Sequence, residues 1–172
     1  MTKVPEIIPI SDLHSGEQRK VVLRIRVVAE KIGGIDLGKI DLSFKPTGKS
    51  ELARATVNWR AEVTDNPELV LANRDGEAAR YIERALTAKA INDATTMYEQ
   101  GRQHDAVRLL ERRKAAAMKV AKDLGDNALG AEVNKAADFA EGNFAQAPAQ
   151  PSSNAGKRAQ KLNREDAYQL AK

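Results

Sequence analysis

Cysteine is missing altogether from this sequence, and with it go disulfides, thiolate metal sites and cysteine nucleophiles. Aromatic residues are nearly as scarce, with three Phe, three Tyr and one Trp in 172 residues. Any core must therefore be assembled mainly from Ala, Val, Leu and Ile. The only two histidines, His14 and His104, lie in separate segments beside turn-forming residues, and neither has a metal-like partner nearby in the chain. No stretch approaches the roughly 18 consecutive apolar residues of a spanning helix. The first ten residues are interrupted by Pro5 and Pro9 and do not read as a secretory signal. G-x-x-x-x-G-K-[ST], G-x-G-x-x-G and G-x-S-x-G are all lacking, so the common nucleotide and hydrolase signatures are missing too. These absences point to a chain with no membrane span, no metal, no cofactor and no enzymatic activity; the lack of cysteine fits a reducing, cytoplasmic setting without demanding it, and an extracytoplasmic one is the alternative if the chain belongs to a larger anchored parent.

What charge there is lies unevenly. The formal net charge is +4. Residues 1–65 hold 11 basic and 9 acidic side chains, 66–141 hold 12 and 13, and 142–172 hold 5 and 2. The excess is thin in the first part and concentrated at the end, unlike the strong local excess of a dedicated nucleic-acid domain.

Apolar periodicity divides the chain into three parts. In 1–65 the period is two. Val21, Leu23, Ile25 and Val27 alternate with Val22, Arg24, Arg26 and Val28, a second segment runs from Ile35 to Phe44 with Gly38 as a bulge or kink, and ARATVNWRAEV alternates strictly from Ala53 to Val63. Val4 to Ile10 adds a candidate edge strand. In 66–141 the period changes to that of a helix. Asn66 or Asp65 caps a short helix with Pro67 at its first position, and Asp75 caps a long one that ends at Gly101. A third starts near Gln103 and ends at Gly125, and a fourth, capped by Asp126, runs to Glu141. From Gly142 onward, small residues, Pro and amides predict a disordered tail, 142–172, in which KRAQKLNREDAYQLAK has the pattern of a short amphipathic helix. The fold expected is α+β: an N-terminal antiparallel β-sandwich-like sheet with Val57 and Trp59 in its core, then a helical hairpin or three-helix bundle, then the flexible tail.

Chemically active constellations are few. Asp36 with Asp41, and Glu165 with Asp166, pair carboxylates on turns or in the tail, where nothing in the sequence suggests the desolvation that acid–base catalysis needs. The basic run about Arg112 places Arg108, Arg112 and Lys119 on one helical face, a stripe suited to an acidic partner. Nearby Asp105, Glu111 and Asp123 balance it, and no aromatic residue interleaves to stack on bases. TMYEQGRQHDAVRLLERR resembles half of a tetratricopeptide unit, but no 34-residue repeat follows, and a plain helical hairpin suffices.

Two stretches taken together carry a family likeness. SDLHSGEQRKVVLRIRV followed by GGIDLGKIDLSFK resembles the region after the type A domain in bacterial von Willebrand factor A-type proteins, and GRQHDAVRLLE and KLNREDAYQL are similar to their C-terminal parts. The metal-site motif D-x-S-x-S does not occur, since Asp41-Leu42-Ser43-Phe44-Lys45 fails at its fifth position, so metal-dependent adhesion does not carry over. The resemblance implies a non-catalytic interaction or structural module whose partner is another protein or another domain of its parent. The alternative is a nucleic-acid-binding protein using the Arg108, Arg112, Lys119 face and the basic tail.

Overall fold

The computed structural model describes residues 7–23, 25–29, 31–147 and 150–171. It has mixed α+β architecture: strands β1 (Gly33–Phe44) and β2 (Ala53–Val63), then helices α1 (Pro67–Ala72), α2 (Gly76–Glu99), α3 (Gln103–Asp123), α4 (Asn127–Gln146) and α5 (Asn154–Leu170).

The sheet is a single antiparallel hairpin among the described residues, not the three- or four-stranded sandwich expected from the alternation. Its register is interrupted between Asp36 and Gly38, the bulge that the glycine signalled, and the Gly38 N–H donates to Asp36 Oδ1 at 2.9 Å. Because the bulge adds one residue, it reverses which side of β1 is apolar. Ile35 therefore shares a face with Gly38, Ile40, Leu42 and Phe44, opposite Ala61, Trp59, Val57, Ala55 and Ala53 on β2. Asp36, Asp41, Arg60 and Thr56 lie on the other face, where the Thr56 hydroxyl donates to Asp41 at 2.5 Å.

Residues 21–23 and 25–28 form no strand, although their alternation is of the same kind; Arg24 lies outside the described residues. No backbone hydrogen bond joins the described part of 18–29 to any element. Alternation determines which side chains share a face, while the partner strand is a long-range choice that the pattern does not encode. The proposed edge strand at Val4–Ile10 falls partly outside the described residues, and residues 7–10 are not a strand.

The helices form the compact part of the molecule. Both tight turns close in the same way. Gly101 (φ 76°) and Gly125 (φ 65°) take the left-handed conformation, the N–H after each glycine reaches back to Met97 O at 2.9 Å and Ala121 O at 2.8 Å, and each glycine N–H bonds one residue later. These Schellman closures satisfy the terminal carbonyls and reverse the chain within three residues, so α2, α3 and α4 run antiparallel. Asp75 accepts from Ala78 N, and Asp126 from Leu129 N, as the expected caps. That bond to Leu129, with Arg80 beside it, holds the Asp126 carboxyl below its ordinary pKa.

The tail assignment is corrected by the structure. Gly142 does not end α4, which continues to Gln146, and α5 completes a four-helix bundle by packing on α2 and α4. Ser153 caps α5 through Gly156 N, Ala159 and Ala167 are buried, and the buried Asn163 accepts from Asn143 Nδ2 at 2.6 Å. Small, amide-rich composition had suggested disorder for want of bulk. Here the same alanines let helices approach closely, and the amide is a core hydrogen-bonding group.

The core lies wholly inside this bundle. Alanine dominates it, with Ile91, Leu110, Leu129, Val133 and a stacked pair, Tyr98 and Phe144, whose ring centroids are 5.0 Å apart. Val57 and Trp59, expected in the core of the sheet, are not buried: Val57 is 62% exposed and Trp59 only half-buried. Among the described residues no helix is long and apolar enough to cross a membrane.

Of the four paired carboxylates, Asp166 departs from the expectation of full solvation. Asp166, on α5, is partly buried, and burial raises its pKa against the opposing pull of Lys135. A carboxyl whose folded pKa is raised stabilises the fold fully below its unfolded pKa, and that contribution is lost as pH rises through the folded value. Asp166→Asn should therefore raise the melting temperature at neutral pH, and the gain should disappear near the acid end of the carboxylate range. Thermal melts of both proteins at the two pH values check this.

Candidate functional site

Two surfaces are candidates, one charged and one apolar. The charged one is α3. Spacings of four and eleven residues return to nearly the same helical azimuth, so Arg108, Arg112 and Lys119 form one line about 16 Å long. All three are exposed. Arg108 Nη2 lies 3.8 Å from Asp105, a loose pair that leaves much of its charge to solvent. Arg102, at the start of the same helix, is held more closely by Asp105 at 2.9 Å.

The adjacent basic residues are already occupied. Arg113 turns toward α2, where it forms a buried ion pair with Glu83 and donates from Nε to the Thr87 hydroxyl at 3.2 Å. Lys114 turns to α4 and bridges Asp138 at 2.8 Å and Glu141 at 3.0 Å. Burial lowers the Arg113 pKa, while the hydrogen bond to Asp138, followed by that to Glu141, raises the Lys114 pKa. The run Arg112-Arg113-Lys114 is thus split three ways by helical geometry, with only Arg112 left for a partner. This leaves one of the three successive cations free, and it weakens the case for phosphate binding in particular.

At the end of α3, Lys119 and Lys122 flank an open depression of about 490 Å³ floored by Met118, Ala121 and Gly130. His14 and His104 are both exposed and lie in separate parts of the chain. No cluster of three potential metal ligands occurs among the described residues.

The apolar surface was missed by the sequence reading because its residues were assigned to a core. Among the described residues every buried position lies between Ala79 and Ala167, whereas nineteen of the twenty-three exposed large apolar side chains precede Asp75. The hairpin contributes Ile40, Leu42, Phe44 and Val57 on one face, and α1 contributes Leu69, Val70 and Leu71, none of them buried. A two-stranded hairpin with one greasy face is marginal in water unless something packs on it. Exposed apolar faces of this kind mark sites of association when they are contiguous. Polar groups on this part, Asp36 and Asp41 included, are solvated and dispersed and do not converge on a cleft. The only signal available beforehand was the strict alternation itself, which marks a face for burial without naming what buries it.

Comparison with known proteins adds no relative: no protein-family model, curated protein or solved structure matches this chain.

Proposed function

We propose that this chain is a non-catalytic interaction module, the accessory β-plus-helical region of a bacterial von Willebrand factor A-type protein, working in the cytoplasm. The observation that carries the reading is the division of labour within the chain. The bundle is complete in itself, and the segment before it displays its apolar residues instead of burying them. Surfaces of that kind serve association. The likeness of SDLHSGEQRKVVLRIRV and GGIDLGKIDLSFK to the region following type A domains supplies the class of partner: a type A domain, or the protein that carries one. The exposed Arg108, Arg112 and Lys119 line gives an acidic rim of such a partner something to meet, adding on-rate and orientation more than affinity.

Titration of this chain with a purified bacterial type A domain, followed by calorimetry, tests the reading. Saturable binding is expected, weakened by Leu42→Lys and by Val57→Lys. Absence of binding, or binding indifferent to both substitutions, overturns it.

A further inference from the structure

The apolar face of the hairpin is uneven in a regular way. In the observed register nearly every bulky side chain on that face stands beside a small one on the neighbouring strand. Phe44 faces Ala53, Leu42 faces Ala55, Trp59 faces Gly38 and Ile35 faces Ala61; Ile40 with Val57 is the matched pair. A ridge therefore follows β1 from Phe44 to Ile40, crosses to β2 at Trp59 and returns to β1 at Ile35. A trough of alanine and glycine follows the mirror course. The bulge at Asp36/Gly38 is what brings Ile35 onto this face and makes the relief continuous.

Such a surface has a special relation to itself. A two-fold axis parallel to the strands, lying over the midline of the hairpin, carries β1 of one copy onto β2 of the other at the same height. Each ridge residue then sits over a trough residue, except at Ile40, which meets Val57. We infer that the hairpin face docks on the same face of a second copy of this chain, Leu42 of each over Ala55 of the other and Trp59 over Gly38. This rests on reading the face as an interaction surface, and it names the occupant when the chain is alone.

The charges agree with that arrangement. The charged residues of both strands, among them Asp36, Asp41, Arg54 and Arg60, fall on the opposite face, so two copies meet without burying an ion and with their polar faces outward. The product is a two-layer sandwich of four strands, a standard way for half-apolar sheets to close. Size sets the strength. Eleven register positions per strand, at about 3.4 Å each and with two strands about 10 Å wide, give roughly 370 Å² per copy. Both copies together contribute about 750 Å², short of the roughly 1,200–2,000 Å² of a stable complex. Self-association is accordingly weak and concentration-dependent.

The absence of native cysteine makes a clean trap, because each single-cysteine variant has one thiol only. Leu42→Cys and Ala55→Cys proteins, oxidised separately and as an equal mixture, should give several-fold more disulfide dimer in the mixture. Leu42→Cys mixed with Ala61→Cys (distant along the strand), and Asp41→Cys mixed with Ala55→Cys (opposite face), should give no such excess. In sedimentation equilibrium the wild-type mass should rise with concentration, and Leu42→Lys should remain monomeric. A wild type that is monomeric throughout, or cross-linking equal in all combinations, overturns the second copy as occupant. If type A binding persists in that case, only this inference falls; if both fail, the face is not an interaction surface.

Discussion

Arg113→Met should destabilise the bundle by about 3–5 kcal/mol, the usual consequence of leaving one member of a buried ion pair alone. The partner is Glu83, whose side chain is 8% exposed, against 13% for Arg113. Lys114 is committed to Asp138 and Glu141 on α4, and the α2 cations Arg80, Arg84 and Lys89 are paired with Asp126, Glu132 and Asp93, so none of them stands ready to replace the lost charge. Thr87, fully buried, also loses the Nε–H it accepts. A typical domain holds only about 5–15 kcal/mol in total, so this one change removes a large share.

The deficit should depend on pH in a definite direction. Without Arg113 the folded-state pKa of Glu83 lies above its unfolded value, because burial disfavours the charged form. The penalty is then present at neutral pH and shrinks as pH falls toward the unfolded carboxyl value of about 4.3. Denaturant titrations of wild type and variant at pH 7 and pH 5 should show the gap narrowing. The double variant Glu83→Leu/Arg113→Met should recover most of the loss, since two apolar side chains need no pairing. A double variant as unstable as the single one would mean that the pair is held for packing and not for charge.

The same pair shows how far sequence reasoning reaches. A helix from Gln103, its stop at Gly125 and a basic face could all be inferred, because caps, glycine and a 3.6-residue period are local signals. Which of three successive cations faced α2, α4 or water could not be inferred, because that depends on how α3 is rotated between its neighbours. The α+β class and the bulge at Gly38 were legible for the same local reason. The closing helix α5 was not, since Ser153, Ala159, Asn163 and Ala167 look like linker residues until α2 and α4 lie close enough to use them. Least legible was the fate of the N-terminal alternation. Val57 and Leu42 carry the mark of a buried face, yet in this chain alone they remain in water. The pattern marks a face for burial without encoding what buries it.

Phe144→Ala, at the other end of the bundle, should cost about 3–5 kcal/mol and leave a poorly closed cavity. Phe144 has no exposure and stacks on Tyr98 at 5.0 Å with the ring planes 24° apart. In a core made largely of alanine these two rings supply much of the bulk where α2, α3, α4 and α5 meet, and alanine neighbours such as Ala106 and Ala140 have no side-chain reach with which to fill the space. The site also joins three helices by hydrogen bonds: Gln103 Nε2 of α3 donates to the Phe144 carbonyl at 2.6 Å, and Asn143, the preceding residue of α4, donates to Asn163 of α5. Loss of the ring should therefore loosen α5 first, the helix whose composition is least able to hold itself. Amide exchange read residue by residue should show protection falling most in α5 and least around Leu129 and Val133, which pack in a separate cluster with Ala117 and Ala121. Tyr98→Phe keeps the ring and should lose far less than Phe144→Ala. If the two cost the same, the stack is not what joins α5 to the bundle.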